Sequence, residues 1–579
     1  MSGAAARAGA QARRWHPGVA LDRLLGRVSM YTLVLWALLA LVGIAFVMSL
    51  FGAFHSSWIA LGLTTLCAVL GSVIGTAGGR LLAGVVAAWR GRADSTTTRR
   101  TPTLSGILAS MPPVHALSPV ITGLILALVL LPVADAGLVG VALAGVLAGG
   151  SKYLLAWRGR HVLNPAVVGL LVAGWTGLAQ AWWWIGSSVL FPFVVLAGLA
   201  VLWRTRRMLY AASYAVPAVA LTVLGYVGLG TPGWTALSFA VLSGPIAFLA
   251  CFMLTEPLTT PPRLLERVGV GVLVGVASAA PVLWGWGWLS PELALALGNV
   301  VAFGLGPRRR VALRFLRRAA GADDGLLDLR FAPSSPLRFR PGQYVEVDVP
   351  QALARPRAAE DSRGRRRVLS LASSPLAGEV RLVTRLAEPG AAPSPVKAAL
   401  ADLAPGDELG VTLVAGDFLL PEGRSALVGL GVGMTPFLAM LDDLARGGGR
   451  RPGADLDVVA VWAVKDVRDV LPILADPVPV PSGIPGGGVT GALPARVGLP
   501  HGVSLVLVVP PGADRSTLPA GYRVVEGSAV DAAVLAEAVP DLAERTVLVS
   551  GSPGSVAAVK LIAREQGARR VRTDVFLGY

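Results

Sequence analysis

Every apolar run long enough to cross a hydrocarbon core of roughly 30 Å, about 20 residues each, falls before Gly306. Beyond Arg318 the texture is that of ordinary globular protein, and residues 319–579 suit two domains of typical size. A chain that is 54% hydrophobic, 15% charged and of mean hydropathy +0.64 is too apolar to be soluble throughout. These features predict a lipid-embedded half and a water-soluble half joined near residue 306.

The apolar pattern predicts ten spans, at 28–52, 58–80, 117–135, 136–156, 164–181, 183–203, 209–229, 234–255, 268–288 and 290–306. The third and fourth meet at Asp135 with almost no loop, so one of them is a candidate re-entrant segment, which needs protein around its backbone. Positive residues gather on alternate loops: Arg7, Arg13, Arg14, Arg23 and Arg27 in the tail, then Arg90, Arg92, Arg99 and Arg100, then Arg158 and Arg160, then Arg204, Arg206 and Arg207, then Arg263 and Arg267. The intervening loops Phe54–Trp58 and Gly230–Trp234 carry none. The positive-inside rule then places both termini, and the soluble half, in the cytoplasm of a multi-pass protein of the cell membrane. The first apolar segment is long enough to span and no small-residue cleavage site follows it, so no cleaved leader is expected.

The net charge of +16 raises nucleic-acid binding, but the arginines flank spans rather than line a recognisable module, and no nucleic-acid partner is expected. The run from Pro307 to Arg318 reads as a basic linker lying against anionic lipid headgroups. Cys67 and Cys251 both sit in apolar spans and cannot supply the four ligands of an iron–sulfur cluster within one chain; no metal site is expected. His55, His115 and His161, in a loop and at helix starts, do not provide the paired axial ligands of stacked membrane haems.

Polar residues inside the apolar half stand out. Lys152, His161, Asn164 and Glu256 lie at or near helix ends, and prolines at 119, 165 and 257 free backbone groups to meet a polar ligand. They belong to four stretches: His115 to Leu128, Ser151-Lys-Tyr153, Arg160-His-Val-Leu-Asn-Pro165 through Gly169, and Phe252-Met-Leu-Thr-Glu-Pro257 through Pro261. In order and spacing this series resembles the family of flavin-carrying membrane proteins found in the Rnf electron-transport complex and in the sodium-translocating NADH:quinone oxidoreductase, over roughly residues 100–306. The resemblance implies a flavin, FMN or another, in the membrane half, with Lys152, His161, Asn164, Thr255 and Glu256 as binding candidates. Ser243-Gly244-Pro245 lacks the threonine of a Ser-Gly-Ala-Thr attachment sequence, so a covalent link is not specified.

In the soluble half, Phe339 to Asp348 alternates apolar and polar residues after a Pro-Gly turn, as in a small antiparallel barrel. Arg367-Val-Leu-Ser370, running on to Ser373-Ser-Pro375, offers a guanidinium and hydroxyls to a pyrophosphate. Ser394-Pro-Val-Lys397, Pro405 to Gly410 and Gly416-Asp-Phe418 follow, and then the strand Ala426–Gly429 runs into Leu430-Gly-Val-Gly-Met-Thr-Pro436. Glycines between a strand and a helix let a phosphate approach the helix amino terminus. This series resembles the ferredoxin-NADP reductase family of FAD/NAD(P)-binding oxidoreductases over residues 312–579.

That resemblance implies FAD held by Arg367, Leu369, Ser370, Ser373 and Ser394, and NADH or NADPH held by Gly431, Gly433, Thr435, Pro436, Gly551 and Pro553. Leu369 takes the place of the family's tyrosine against the flavin, and Ser550 that of its cysteine near the nicotinamide. Phe576 and Tyr579 supply terminal aromatics, and Ser370, Ser550 and Tyr579 are the candidates for the hydride-transfer site. Lys465 and Arg468 are candidates to greet a 2'-phosphate. The expected fold is a polytopic α-helical membrane domain, then an antiparallel β-barrel FAD domain, then an α/β Rossmann-like NAD(P) domain. Its expected boundaries are a tail at 1–27, the membrane domain at 28–306, the linker at 307–318, the barrel at 319–422 and the nucleotide domain at 423–579. The two resemblances imply NAD(P)H-driven transmembrane electron transfer to an extracytoplasmic FMN-binding protein or other acceptor. A membrane-anchored quinone reductase and a redox component of an ion-translocating complex are the alternatives.

Overall fold

The computed structural model describes residues 21, 24–25, 28–52, 57–92, 113–132, 137–157, 160–306, 311–319, 325–349, 366–387, 393–448, 457–467, 499, 502–515, 518 and 522–576. They divide into two compact units, one holding the apolar helices up to Leu305 and the other holding two sheets from Val311 onward.

Helices stand in all ten predicted apolar stretches: α1 Met30–Leu50, α2 Trp58–Arg92, α3 Pro113–Val129, α4 Gly137–Leu154, α5 Pro165–Thr176, α6 Phe191–Thr205, α7 Met208–Gly228, the pair α8 Gly233–Leu242 and α9 Ile246–Met253, α10 Leu264–Trp284 and α11 Pro291–Leu305. Five of them, α1, α2, α4, α7 and α10, are long and apolar enough to cross a membrane, and α8 with α9, bent by 44°, makes a sixth if counted as one span. The other apolar helices run only 10–17 residues, so length alone gives fewer full crossings among the described residues than the ten predicted. Exposed Trp175, Trp182, Trp234, Trp284, Trp286 and Trp288 present large apolar rings to the surroundings, as interfacial tryptophans do.

The third stretch is shorter than its apolar run. Helix α3 stops at Val129 and the chain continues as β1 Leu130–Pro132, paired antiparallel with β4 Ala179–Ala181, while β2 Ala156–Trp157 and β3 Arg160–His161 pair with each other. The Val129 carbonyl accepts from the amides of both Trp182 and Trp183, so this extended backbone is satisfied inside protein, as a low-dielectric surrounding demands. Helix α5 begins where Asn164 caps it, its Oδ1 accepting from Ala166 N at 2.9 Å with Pro165 in the first turn.

Helices α2 and α4 pack backbone to backbone through glycine. A Cβ on Gly75 would lie 2.6 Å from the carbonyl carbon of Val146, and one on Gly145 would lie 2.6 Å from the Ala68 oxygen. Without water to drive helix association in lipid, such close approach supplies the contact energy.

In the second unit the first sheet is antiparallel, in the order β8 Arg366–Ser370, β7 Tyr344–Asp348, β10 Glu408–Ala415, β5 Val311–Arg318, β6 Leu326–Pro333, β9 Val380–Arg385. A bridge between Leu371 and Leu382 brings its two ends together, so the sheet curls around Leu313, Phe331, Val345, Val347 and Leu382. The expected basic linker is thereby corrected. From Val311 onward it is strand β5, whose Val311, Leu313 and Phe315 point into this core while Arg314 and Arg318 point out. Of the run from Phe339 to Asp348, only Tyr344–Asp348 is strand.

The second sheet is wholly parallel, in the order β14 Arg523–Glu526, β13 Val503–Val509, β12 Val458–Ala463, β11 Ser425–Leu430, β15 Thr546–Gly551, β16 Arg570–Val575. Separate apolar clusters cover its two faces: Leu427 and Leu548 join Phe437, while Ala426, Val428, Val547 and Val549 join Leu535 and Val559. Helix α13 Thr435–Ala445 supplies the first cluster, and α14 Ala532–Ala538 and α15 Pro553–Glu565 the second. Residues 395–401 form the short helix α12 Pro395–Ala401.

At the amino-terminal edge of this sheet Arg545, 6% exposed, reaches Asp457 Oδ1 and Asp541 Oδ1, each at 2.7 Å. Its hydrogen bonds hold both carboxyls below the usual carboxylate range. Depressed folded values mean stability that is present above the unfolded value of about 3.9 and lost as the pH falls through the folded ones. Arg545→Met is therefore expected to lower protection of the β11 and β12 amides from hydrogen exchange by about 2 kcal/mol at pH 7. The gap to wild type should narrow below about pH 3.9; a gap that does not change with pH refutes the assignment.

Candidate active site

Strand β11 lies at the point where the chain order of the parallel sheet reverses, β12 to one side and β15 to the other. Ligands of such sheets bind in the crevice outside the carboxyl ends of the strands at this point. The chain leaves β11 through the turn Gly431–Met434 directly into α13, and leaves β15 at Gly551 into α15. Gly431 has φ +60, a conformation that favours glycine, and its carbonyl accepts from the indole of buried Trp462 at 3.1 Å. A Cβ on Gly433 would sit 2.6 Å from the carbonyl carbon of Ser550 and 2.7 Å from Gly551 Cα. One on Gly551 would sit 2.8 Å from Leu430 Cβ. Predicted residues Gly431, Gly433, Thr435, Pro436, Ser550, Gly551 and Pro553 thus come together at the carboxyl ends of β11 and β15.

Ser550 is fully buried, and its Oγ has no hydrogen-bond partner among the described residues. Across the sheet it pairs with Asp574, whose carboxyl burial pushes up to about 6. In the sequence nothing marks Asp574, two residues before the terminal aromatic Phe576, for a role. Phe576, just after β16, is half-buried, its amide donating to the Gly551 carbonyl of β15 at 2.8 Å. Tyr579 and Arg468 lie outside the described residues; Lys465 is exposed.

In the antiparallel sheet, Arg367 and Leu369 share the buried face of β8 and Ser370 lies on the other. An arginine and a serine three apart on a strand fall on opposite faces, so Arg367 and Ser370 approach any common ligand from different sides of β8. Leu369 is part of the apolar core of this sheet, not an exposed platform. Ser373 is also turned inward: its hydroxyl donates to the Glu379 carbonyl and accepts from Arg381 N, both at 3.0 Å. Ser394 caps α12, accepting from Lys397 N at 3.4 Å. Gly416 and Gly342, at φ +120 and +93, shape the turns around Gln343, whose side-chain amide donates to the Gly416 carbonyl at 2.9 Å.

The helical unit gathers the polar residues predicted there. Lys152 Nζ donates to Ser118 Oγ at 3.0 Å and to Thr122 Oγ1 at 3.1 Å, and its charge interacts with Glu256. Glu256 Oε1 is 3.3 Å from His161 Nε2, and Glu256 Oε2 accepts from Thr259 at 3.1 Å. Asn164 donates its side-chain amide to the Met253 carbonyl at 3.1 Å, and its backbone N–H to Asn299 Oδ1 at 2.8 Å. Met253 ends a π-helical turn, Leu249–Met253, of the kind frequent at functional sites. Thr255 is spent locally, its hydroxyl donating to the Cys251 carbonyl at 2.9 Å. Asn299 joins this group without standing out in the sequence, because only the tertiary approach of α11 to α5 reveals it. Trp183, at φ 51, and buried Glu292 escape sequence reasoning for the same reason: the indole donates to Glu292 Oε1 at 2.6 Å across 109 residues.

No family model matches the chain. A flavohemoprotein of Deinococcus radiodurans is 30% identical over 133 residues, which are 23% of this chain and 30% of that protein. The chain therefore matches less than a third of that relative's length. Among solved structures, a cytochrome P450 reductase of Amycolatopsis is 24% identical, covering 46% of this chain and 70% of its own, with a TM-score of 0.33. A ferredoxin NADP+ reductase of Neisseria gonorrhoeae with bound FAD and NADP is 15% identical, covering 46% of this chain and 98% of its own, with a TM-score of 0.32. The FAD/NAD-binding domain of a nitric oxide dioxygenase of Vibrio cholerae is 18% identical with the same coverage and TM-score.

Proposed function

We propose that this chain is an NAD(P)H-dependent flavin oxidoreductase that passes electrons into its own membrane unit, through a flavin held there, to an extracytoplasmic acceptor. The observation that carries the reductase reading is the glycine turn at the β11/β15 switch point, where Gly431 leaves the backbone open at the head of α13 and Gly433 packs on Ser550, whose buried hydroxyl has no partner among the described residues. Bare backbone next to a helix amino terminus is what a dinucleotide pyrophosphate needs. The 30% identity to a stretch of a flavohemoprotein supports the same reading.

Bound flavin supplies the exchange between a two-electron hydride and single electrons. The chain's residues do the rest. Gly431 to Thr435 would bind the dinucleotide phosphates, and Arg367 with Ser370 and Ser394 would hold FAD. Ser550 and Asp574 would line the place where the nicotinamide lies, Asp574 able to hold a proton near neutral pH because of its burial. FAD and NADH or NADPH fit this unit. At the head of α13 a Cβ on Gly431 would meet nothing within 4 Å, so the turn is open on that side to dinucleotide phosphates, while Gly433 packs against the backbone of β15.

In the helical unit the group Lys152, His161, Asn164 and Glu256 supports a polar redox ligand, FMN or another flavin, since such residues at membrane depth are costly unless they serve a site. His161→Leu with Glu256→Gln, made in the full chain, is expected to lower released flavin by about half relative to wild type, leaving one flavin per chain. Unchanged flavin content in the double variant would place the membrane ligand elsewhere.

A second reading, membrane-anchored quinone reduction, is favoured by one feature. An apolar cleft of about 310 Å³ is lined by Val300 and by Leu154, Leu155, Trp157, Val162 and Leu163, the residues just before and after the short strand that carries His161. Menaquinone reduction by the purified chain with no other acceptor would select it.

A further inference from the structure

Helix α13 starts at the glycine turn of the nucleotide crevice and, eleven residues long, carries two consecutive aspartates in its last turn. Carboxylates at a helix carboxyl terminus oppose its dipole. Here both reach one residue in the turn that follows strand β8. Asp442 Oδ2 accepts from the Ser374 backbone N–H at 2.7 Å, and Asp443 Oδ1 accepts from the Ser374 hydroxyl at 2.6 Å. Ser374 is 1% exposed and Asp443 8%. Arg446 Nε braces Asp442 Oδ1 at 2.9 Å, and a side chain on Gly448 would fall 2.5 Å from the Asp443 carboxyl carbon, so the chain also leaves room for the clamp.

Ser374 lies four residues after Ser370, in the turn that leaves strand β8. One end of α13 is therefore tied to the strand that carries the flavin candidates, and the other carries the dinucleotide turn. We infer that Asp442 and Asp443, clamping Ser374, are positioning residues that set the register between nicotinamide and flavin. The inference rests on the reductase reading above. A helix at 1.5 Å rise per residue is a rigid rod of about 16 Å, so loosening its far end moves its near end. Misplacement of reactants by about 1 Å costs on the order of a hundredfold in rate.

The test is anaerobic rapid mixing of the full-length protein with NADH or NADPH, following flavin absorbance. Asp442→Ala/Asp443→Ala should keep its flavin and its dinucleotide affinity yet be reduced about tenfold or more slowly at saturating dinucleotide. Asp442→Asn/Asp443→Asn, whose side-chain oxygens still accept from Ser374, should recover most of that rate. A double-alanine variant reduced at the wild-type rate overturns the clamp. So does one that loses flavin and hydrogen-exchange protection in step with rate, since it then acts only on folding. Failure of the wild type itself to be reduced instead refutes the reductase reading.

Discussion

Replacing Gly433 by leucine is expected to abolish reduction of the chain by NADH or NADPH while leaving its flavin in place. The added Cβ would fall 2.6 Å from the Ser550 carbonyl carbon and 2.7 Å from Gly551 Cα, both backbone atoms of the neighbouring strand, which cannot swing aside as a side chain can. Either β15 moves, carrying Ser550 and Asp574 with it, or the turn lifts and fills the space where a pyrophosphate would rest. Both outcomes remove the geometry on which hydride transfer depends, so a fall of more than about a hundredfold is expected. Arg367 and Ser394 lie outside the parallel sheet, so flavin absorbance should persist. Rapid-mixing kinetics on the purified variant measure the first effect and its spectrum the second; reduction at even a tenth of the wild-type rate would mean that the dinucleotide lies elsewhere.

Gly75→Leu should have a comparable effect on the helical unit, acting on assembly instead of chemistry. Its Cβ would lie 2.6 Å from the Val146 carbonyl carbon and 2.7 Å from Val146 Cα, where α2 and α4 meet backbone to backbone. Overpacking a core commonly costs about 1–3 kcal/mol, and a clash between two backbones lies at or beyond the upper end. Gly78, one turn along the same helix, has nothing within 4 Å of its added Cβ and provides the matched control. Yield and thermal stability in detergent should collapse for Gly75→Leu and hold for Gly78→Leu. Equal stability of the two would show that α2 and α4 do not meet through this face.

Much of the architecture is legible in the sequence because its causes are local. Apolar length marks the helical half, and the run from Ala426 to Pro436 carries both the strand and the glycine turn that the parallel sheet displays. What escapes depends on partners distant in sequence. The extended segment Leu130–Pro132 is as apolar as the helix before it, and only pairing with Ala179–Ala181 takes it out of the helix. Strand β5 is hidden by its arginines, although Val311, Leu313 and Phe315 carry the alternation of a half-buried strand. The same alternation, applied to β8, separates Arg367 from Ser370. In the sites, residue types at helix ends disclose Lys152, His161, Asn164 and Glu256. Asn299, Glu292, Asp443 and the neighbour of Ser550, Asp574, become apparent only through contacts that no spacing rule encodes.

On the proposed function, one chain holds a dinucleotide-fed flavin and a second redox group among its apolar helices. Anaerobic titration of the purified full-length protein with dithionite, and then with NADH or NADPH, counts the electrons it can store. Two flavins would take up about four electrons per chain, and nicotinamide dinucleotide should deliver the same number as dithionite. Uptake of only about two by either reductant would leave the helical unit without a redox group and rule out a relay through it.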